Sequence, residues 1–323
     1  MKVLITGGAG FVGSHVVEEL LRRGHQVTSL DDMSNGNEEF INAVSDHPNH
    51  TFIHDTVLND ELVDELVDNH DCVFHLAAVL GVKNCVENPR KVIDGNIIGT
   101  RNIAASCMKW NKKLVFSSTS EVYGKNPNIP FSEDADRVLG ATTVHRWSYA
   151  TAKAIDEHLC LAYGKEGLRV TVLRYFNIYG PRSVATPYAG VIPRFIDAAL
   201  SHETLRVFGN GLQTRCFTYV YDCVEATIAA LSAAADGEVI NIGTTEETAI
   251  KQLAETVLRL SNSTSSIEYV PYEEAYGPGY EDTPKRVPVT TKLQTILHHT
   301  PRVSLIDGLK ETIAWHEQQQ RNA

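Results

Sequence analysis

The sequence predicts an α/β fold in which a doubly wound parallel sheet is joined to a smaller α/β domain. Over the first two-thirds of the chain, short apolar runs alternate with helical patterns, which is typical of repeated βα units. A glycine-rich segment follows the first apolar run directly and opens a helical pattern. The length of 323 residues also suits about two domains.

Seven apolar runs are predicted as strands of the larger sheet. They are residues 2–6, 26–30, 51–54, 72–76, 113–117, 168–173 and 238–242. The spacing of apolar residues predicts helices at residues 11–23, 93–108, 148–162, 191–200, 250–260 and 305–318. A short strand (267–270) and a loop rich in glycine and proline (276–288) are predicted near the end. We expect the first domain to span residues 1–178 and 217–245, and the second to span 179–216 and 246–323.

Composition and charge exclude several classes of function. The chain has 29 Lys and Arg against 40 Asp and Glu, a net charge of −11, so we expect no nucleic-acid partner. No apolar stretch approaches the ~20 residues of a membrane span, and no signal-peptide pattern opens the chain. We therefore expect no membrane partner. The six cysteines are widely spaced, which predicts reduced thiols and a cytoplasmic protein. No metal-site pattern of His and Cys occurs, so we expect no metal.

Gly7, Gly10 and Gly13 lie between the first predicted strand and the first predicted helix. Glycine there permits a tight turn, a close approach of the backbone to a pyrophosphate, and close packing of the helix on the strand. Asp31 ends the second strand, where a carboxylate can bind both ribose hydroxyls of NAD and would repel the 2′-phosphate of NADP. The segment therefore predicts a Rossmann-type domain that binds NAD. The alternative is a glycine turn with a structural role only.

Further candidate contacts with NAD lie beside these glycines or after later strands, where doubly wound sheets bind their ligands. They are Phe11, Val12, Asp55, Thr56, Leu76, Ala77, Ala78 and Asn96, together with Tyr149 and Lys153. For Asp55, a helix-capping role is the alternative.

Tyr149 and Lys153 are four residues apart in a helical pattern, so they share one face of that helix. A free phenol has a pKa near ~10 and is a poor base at neutral pH. A neighbouring ammonium and the positive nicotinamide of NAD would both favour the phenolate. Thr119 lies just past the fifth strand, where its hydroxyl could bridge a substrate and Tyr149. We therefore expect these three residues to be catalytic, the alternative being a solvated helix face.

The glycine spacing GxxGxxG and the Tyr149-x-x-x-Lys153 pair resemble the short-chain dehydrogenase/reductase superfamily, in particular its extended branch that acts on nucleotide sugars. Other matching segments are residues 75–78, 117–124, 174–177 and 179–182. The resemblance covers nearly the whole chain. It implies a Ser/Thr–Tyr–Lys triad, NAD as the cofactor, a nucleotide-sugar substrate that is UDP-linked as in the decarboxylases of that branch, and a homodimer. In that branch the dimer commonly forms through the helix that carries Tyr149 and the helix near residues 98–108. The apolar residues Ile98, Ile103, Leu159 and Ala162 of these two helices suit such a contact, and the alternative is that they belong to the core.

Glu121 lies two residues after Thr119 and should point to the same side of an extended segment. Within the extended branch, dehydratases typically have Asp-Glu at this place, whereas plain 4-epimerases need no acid. The Ser120-Glu121 pair resembles UDP-glucuronate decarboxylases, including the related domain that acts in lipid A modification. We therefore expect Glu121 to be a fourth catalytic residue, which positions the substrate or protonates it. A local backbone hydrogen bond is the alternative role for Glu121.

Candidate substrate contacts are polar residues in segments that resemble the same branch. They are Lys83, Ser120, Asn177, Arg182, Arg215 and Arg286. A guanidinium suits a diphosphate or a carboxylate because its fork can bond two oxygens at once. The resemblance implies that Arg215 grips the UDP phosphates and that Arg286 binds the diphosphate or a sugar carboxylate.

We predict an NAD-dependent enzyme that oxidises a nucleotide sugar to a 4-keto intermediate and then reduces it again. The preferred reaction is decarboxylation of UDP-glucuronate to UDP-xylose, because a 4-keto uronate is a β-keto acid. A UDP-hexose or UDP-uronate 4-epimerase is the alternative reaction. A non-catalytic NAD-binding regulator is the third possibility, and the intact Thr119, Tyr149 and Lys153 argue against it.

Overall fold

The computed structural model describes residues 1–80, 82–185, 190–276 and 283–322, without the side chains of residues 82, 83, 86, 275 and 276. Residues 277–282 of the predicted loop at 276–288 and the side chain of Lys83 therefore lie outside the described residues. Within the part of the chain that is described, no helix is long and apolar enough to cross a membrane. The six cysteines all fall within that part, and each is a buried free thiol.

The elements are numbered along the chain. The strands are β1 (Lys2–Thr6), β2 (Gln26–Asp31), β3 (His50–His54), β4 (Cys72–His75), β5 (Lys113–Thr119), β6 (Val170–Tyr175), β7 (Ile178–Tyr179), β8 (Leu205–Phe208), β9 (Thr214–Cys216), β10 (Thr218–Tyr219), β11 (Val239–Ile242), β12 (Glu247–Ala249), β13 (Ile267–Val270) and β14 (Lys285–Arg286). The helices are α1 (Phe11–Arg22), α2 (Glu38–Asn42), α3 (Asp60–Asp68), α4 (Val82–Glu87), α5 (Pro89–Lys109), α6 (Ser148–Lys165), α7 (Val191–Leu200), α8 (Val220–Ala229), α9 (Ile250–Leu260), α10 (Tyr272–Tyr276), α11 (Thr291–Thr295) and α12 (Leu305–Asn322).

Seven parallel strands form the central sheet in the order β11-β6-β5-β4-β1-β2-β3. The strand order reverses between β1 and β4, and this reversal creates a crevice at the carboxyl ends of the strands. The doubly wound Rossmann-type fold expected from the sequence is therefore confirmed. All seven predicted strands form, with ends that differ by at most two residues from the predicted ones.

Helices cover both faces of this sheet. Side chains of α1 and α8 pack with one face of the strands, around residues such as Val16 and Val224. Side chains of α3, α5 and α6 pack on the other face, around residues such as Ile103 and Cys160. Burial on both sides explains why the strands read as continuous apolar runs rather than as alternating patterns.

A second core lies among α7, α9 and α12 and the short strands around them. It contains Ile192, Phe195, Leu253, Val257 and Ile313. The small sheets beside it have the orders β12-β9-β14, β13-β8 and β10-β7. The separate core supports the proposed second domain. Leu293 and Leu297 belong to the segment 246–323 that was assigned to this domain, but they pack into the core of the central sheet. We therefore keep the division into two domains as a proposal.

The close packing of α1 on β1 depends on Gly13. A Cβ atom at this position would lie 1.9 Å from the backbone oxygen of Gly7. We expect Gly13→Ala to lower the free energy of unfolding by about 1–3 kcal/mol, because the backbone must move to relieve the overlap. Urea titration followed by circular dichroism measures this change.

The matched control is Gly164→Ala in α6, where the nearest atom to a new Cβ is a side-chain carbon of Val170 at 3.3 Å. Alanine favours the helix there, so its effect should be within about 1 kcal/mol and either neutral or stabilising. Equal unfolding midpoints for wild type and Gly13→Ala would show that the contact is not tight.

Candidate functional site

The glycine segment forms a tight turn at the carboxyl end of β1. Gly7 has a φ of 74°, and a Cβ there would lie 2.7 Å from the backbone nitrogen of Ala77. The Gly10 N–H donates to Gly7 O across the turn at 3.2 Å. Phe11 and Val12 follow as the partly buried first residues of α1. Side chains are thus excluded beside the N-terminus of α1, and the cradle fits a dinucleotide pyrophosphate.

Asp31 ends β2 beside this cradle. Its carboxylate accepts hydrogen bonds from the backbone N–H groups of Ala9 and Met33, both at 2.9 Å. Burial raises the pKa of Asp31, and these two hydrogen bonds oppose that effect. The bonds fix the carboxylate at the edge of the sheet, and each oxygen keeps a lone pair that can accept from a ribose hydroxyl.

The loop after β4 is held against β1. The hydroxyl of Thr6 bonds His75 Nδ1 at 2.7 Å and accepts from the Ala77 N–H at 3.3 Å. Asn96, buried in α5, accepts from the Val79 N–H at 3.1 Å and donates to Val79 O at 2.9 Å. Its other amide hydrogen is bonded within α5. We therefore interpret Asn96 as a residue that positions the loop containing Leu76, Ala77 and Ala78.

Asp55 and Thr56 follow β3 at the same edge. The Asp55 carboxylate accepts from the Thr56 N–H at 2.7 Å and from the Asn59 amide at 3.2 Å. Asn59, and not Asp55, caps α3 by accepting from the Leu62 N–H. Asp55 thus shapes the turn at the sheet edge, and its role toward a cofactor stays a prediction.

The predicted catalytic residues come from α6 and from the end of β5. Tyr149 and Lys153 are one turn apart on α6, and Lys153 Nζ lies 4.0 Å from the centre of the Phe116 ring in β5. Thr119 ends β5, and its hydroxyl accepts from the Glu121 N–H at 3.2 Å, which starts a single turn of 3₁₀ helix. The packing of α6 on β5 thus brings the four predicted residues to one wall.

The chain's own groups keep Tyr149 protonated. Burial, followed by the negative charge of Glu121, raises the pKa of Tyr149 well above its ordinary value. Lys153 is 1% exposed, and its ammonium lies 3.8 Å from the buried carboxylate of Asp156. Burial lowers the pKa of Lys153, while Asp156 opposes that shift. The lowering of the Tyr149 pKa expected from Lys153 is therefore not supplied by the protein alone.

A buried ionic network supports this wall from beneath. Arg174 in β6 donates to Glu157 of α6 through two nitrogens, at 2.9 and 2.7 Å. Arg174 also donates to the hydroxyl of Tyr123 at 2.8 Å, and Ser118 in β5 donates to Glu157. These bonds join β5, β6 and α6, so they fix Thr119 and Glu121 relative to Tyr149.

Glu121 lies between two arginines. Its carboxylate pairs with Arg286 of β14 through one oxygen and with Arg146 through the other, the latter at 2.7 Å. Burial opposes ionisation, but the charges of Arg286 and Arg146 outweigh it and lower the pKa of Glu121 to about 2. Glu121 is therefore a fixed negative charge at neutral pH and a poor proton donor.

A pocket of about 290 Å³ opens beside this pair, between the sheet edge and the second core. Among the described residues, its charged lining consists of Glu121 and five arginines: Arg146, Arg194, Arg206, Arg215 and Arg286. The chain as a whole carries a net charge of −11, so the pocket is positive within an acidic protein. Such a pocket attracts an anionic ligand.

Three of the predicted substrate residues line this pocket: Asn177, Arg215 and Arg286. Ser120 is buried in the 3₁₀ turn. Arg182 instead pairs with Glu18 of α1 and lies over the Phe40 ring at 5.3 Å, so the structure does not bring it to the lining. The side chain of Lys83 lies outside the described residues.

Three lining arginines, Arg146, Arg194 and Arg206, were not among the predicted site residues. Arg146 lies three residues before Tyr149, in a segment that the sequence does single out, so its position could have been inferred. Arg194 is a single arginine on α7 with no motif around it, so the sequence carries no signal for it.

Together, the glycine cradle, Asp31 and the Tyr149–Lys153 wall define a dinucleotide-dependent enzyme with an anion-binding substrate pocket. Residues 3–243 match the model of the NAD-dependent epimerase/dehydratase family. The chain belongs to this family. Its cofactor is NAD, and the prediction of an NAD-dependent nucleotide-sugar enzyme is confirmed.

Three relatives are informative. A UDP-N-acetyl-α-D-glucosaminuronate decarboxylase of Bacillus cytotoxicus is 51% identical over 97% of this chain and 97% of its own length. UDP-glucuronic acid decarboxylase 1 of Danio rerio is 34% identical over 97% of this chain and 72% of its own length. The structure of a Bacillus cereus UDP-glucuronic acid 4-epimerase with UDP-glucuronic acid and NAD is 30% identical, covers 99% of this chain and all of its own (100%), and has a TM-score of 0.88.

The depressed pKa of Glu121 links this carboxyl to stability. The pKa falls from 4.5 to about 2 on folding, so the stabilisation is complete above pH 4.5 and is lost as pH falls toward 2. Between about pH 6 and about pH 3, we expect the free energy of unfolding of wild type to fall by roughly 2 kcal/mol more than that of Glu121→Gln.

Urea titrations of both proteins across this pH range measure the difference. The comparison cancels the titration of all other carboxyl groups, since the two chains share them. A difference that stays constant with pH would show that Glu121 is not held ionised.

Proposed function

We propose that this protein decarboxylates a UDP-linked hexuronate to a UDP-linked pentose, with the 2-acetamido uronate as its preferred substrate. The observation that carries the proposal is the buried carboxylate of Glu121 between Arg286 and Arg146, at the end of a pocket lined by arginines. The 51% identity to a decarboxylase of UDP-N-acetylglucosaminuronate supports the choice of sugar.

The charges of the pocket suit an anionic sugar on a diphosphate. The single negative charge of Glu121 neutralises only one of the two positive charges of Arg286 and Arg146. Arg286 bonds Glu121 through one nitrogen, and a guanidinium has five N–H donors. Arg286 is therefore free to bond a sugar carboxylate as well. Arg215, on the neighbouring strand β9, is placed to bind the diphosphate.

Oxidation at C4 activates the uronate for loss of CO₂. A carboxylate on C5 is then β to the C4 carbonyl, so the C5–C6 bond can break with its electron pair moving into that carbonyl. A solvent-derived proton then takes the place of CO₂ at C5. The glycine cradle and Asp31 would hold NAD, which would supply reversible hydride transfer at C4.

The residues of the chain hold and move protons around this chemistry. Because burial and Glu121 raise the pKa of Tyr149, this phenol would become a base only with the positive charge of a bound nicotinamide beside it. As a phenolate, Tyr149 takes the proton of the C4 hydroxyl, and Thr119 orients that hydroxyl. Lys153 supplies positive charge beneath Tyr149. Because Glu121 stays ionised, its role is to hold Arg286 and Arg146 in place rather than to donate a proton.

A 4-epimerase is the second candidate. Thr119, Tyr149 and Lys153 would also suffice for a 4-epimerase if the 4-keto sugar rotated in the pocket, so that the hydride returned to the opposite face of C4. The likeness to the UDP-glucuronic acid 4-epimerase of Bacillus cereus favours this reading, because that enzyme also binds a uronate.

Product mass in deuterated water separates the two reactions. With UDP-N-acetylglucosaminuronate we expect loss of one CO₂ and uptake of one deuterium at C5, because bond cleavage leaves a carbanion there. UDP-glucuronate should react in the same way but more slowly. Mass spectrometry and proton NMR of the product measure both changes.

Tyr149→Phe is the control, and it should lower turnover by about 100-fold or more, the range for loss of an acid–base group. An unchanged mass together with inversion at C4 would replace the decarboxylase by the epimerase. No reaction with any UDP-uronate would overturn the proposal.

We also propose a homodimer through α5 and α6. Ile98 of α5 and Ile155 of α6 are 36% and 43% exposed, so each helix presents an apolar residue on its outer side. Ile103, considered from the sequence as a contact, is instead fully buried in the core. The buried free thiols agree with a reducing compartment, and we propose a cytoplasmic location.

Ile155→Glu should convert the dimer to a monomer, because it places a carboxylate in the proposed apolar interface. Light scattering after size-exclusion chromatography measures the mass. Leu212→Glu is the control, since Leu212 is 68% exposed and lies outside α5 and α6. A dimer that survives Ile155→Glu, or a monomeric wild type, would contradict this interface.

A further inference from the structure

Arg194 is a pocket arginine without an anionic partner. It lies in the first turn of α7, and the centre of its guanidinium is 4.6 Å from the centre of the Phe208 ring. Its Nε atom is buried and makes no hydrogen bond to the described residues. A buried N–H without an acceptor is costly, and a cation over a ring face offsets only part of that cost.

The other lining arginines are all engaged. Arg206 pairs with Glu274 at 3.3 Å and Arg146 with Glu121 at 2.7 Å. Arg215 donates to the backbone oxygen of Thr214 at 2.8 Å. Among the described residues, Arg194 has no ion pair of this kind, so its charge is available to a ligand.

The start of α7 faces the same space. Gly190, Val191 and Ile192 line the pocket together with Arg194, and the N-terminus of an α-helix carries partial positive charge. Arg215 reaches the pocket from β9. An anion in the pocket would therefore meet two guanidinium groups and a helix N-terminus.

We propose that Arg194 is a further ligand of the substrate's diphosphate and acts together with Arg215. The diphosphate fits better than the base, because a guanidinium fork bonds two anionic oxygens while a base offers no charge. This inference rests on the proposed function, since it requires a nucleotide diphosphate in the pocket.

The test compares wild type and Arg194→Gln by isothermal titration calorimetry. The affinity for UDP is measured directly, and the affinity for uridine, the weaker ligand, is measured by its competition with UDP. We expect Arg194→Gln to weaken UDP binding by about 10- to 100-fold, the range for loss of a charge-assisted hydrogen bond. Uridine binding should change by less than about twofold. Arg194→Lys should recover part of the affinity for UDP, because it keeps the charge but not the fork.

Arg259→Gln is the matched control, because Arg259 is exposed in the last turn of α9 and does not line the pocket. It removes the same charge but should change UDP affinity by less than about threefold, because solvent and salt screen an exposed charge outside the pocket. An unchanged affinity for UDP in Arg194→Gln, or an equal loss in both variants, would overturn the assignment of Arg194. An equal loss of UDP and uridine would assign Arg194 to the base instead. A wild type that binds no UDP would overturn the proposed function itself.

Discussion

The Glu121 carboxylate lies between Arg286 and Arg146, and the account of the substrate pocket depends on this pairing. The interaction joins the end of β5, the approach to α6 and the short strand β14, which are far apart in the sequence. It also fixes the ionisation of Glu121, because two adjacent guanidinium groups outweigh the cost of burial. Chemistry at C4 and recognition of a carboxylate are thereby brought to one wall.

The fold makes this arrangement possible because parallel strands deliver their carboxyl ends to one edge. β1 and β2 supply the cradle and Asp31, while β5 and α6 supply Thr119 and Tyr149. The second core carries α7 and β9 over that edge and closes the pocket with further arginines. The pocket is therefore lined both by residues at the edge of the central sheet and by residues of the second core.

Much of this architecture could be predicted from local patterns. The strands of the central sheet and helices such as α1 and α9 have periodic apolar residues and clear ends, so they were predicted within a few residues. The short strands β8, β9 and β14 were not, because two to four residues carry too little pattern. The pairing of Arg286 with Glu121 joins residues that are 165 positions apart, and sequence spacing does not reveal such a contact. The position of Arg194 in the pocket depends on how α7 packs, which spacing does not reveal either. Arg182 matched a motif, yet tertiary packing placed it against Glu18.

The most direct test of the central claim is the affinity of the pocket for a sugar carboxylate. Equilibrium binding of UDP-N-acetylglucosaminuronate and of the neutral UDP-N-acetylglucosamine should be compared for wild type and Arg286→Gln. We expect wild type to bind the uronate at least about tenfold more tightly than the neutral sugar, and this preference to disappear in Arg286→Gln, because the carboxylate loses its charge-assisted bonds. Equal affinities of wild type for the two sugars would contradict it.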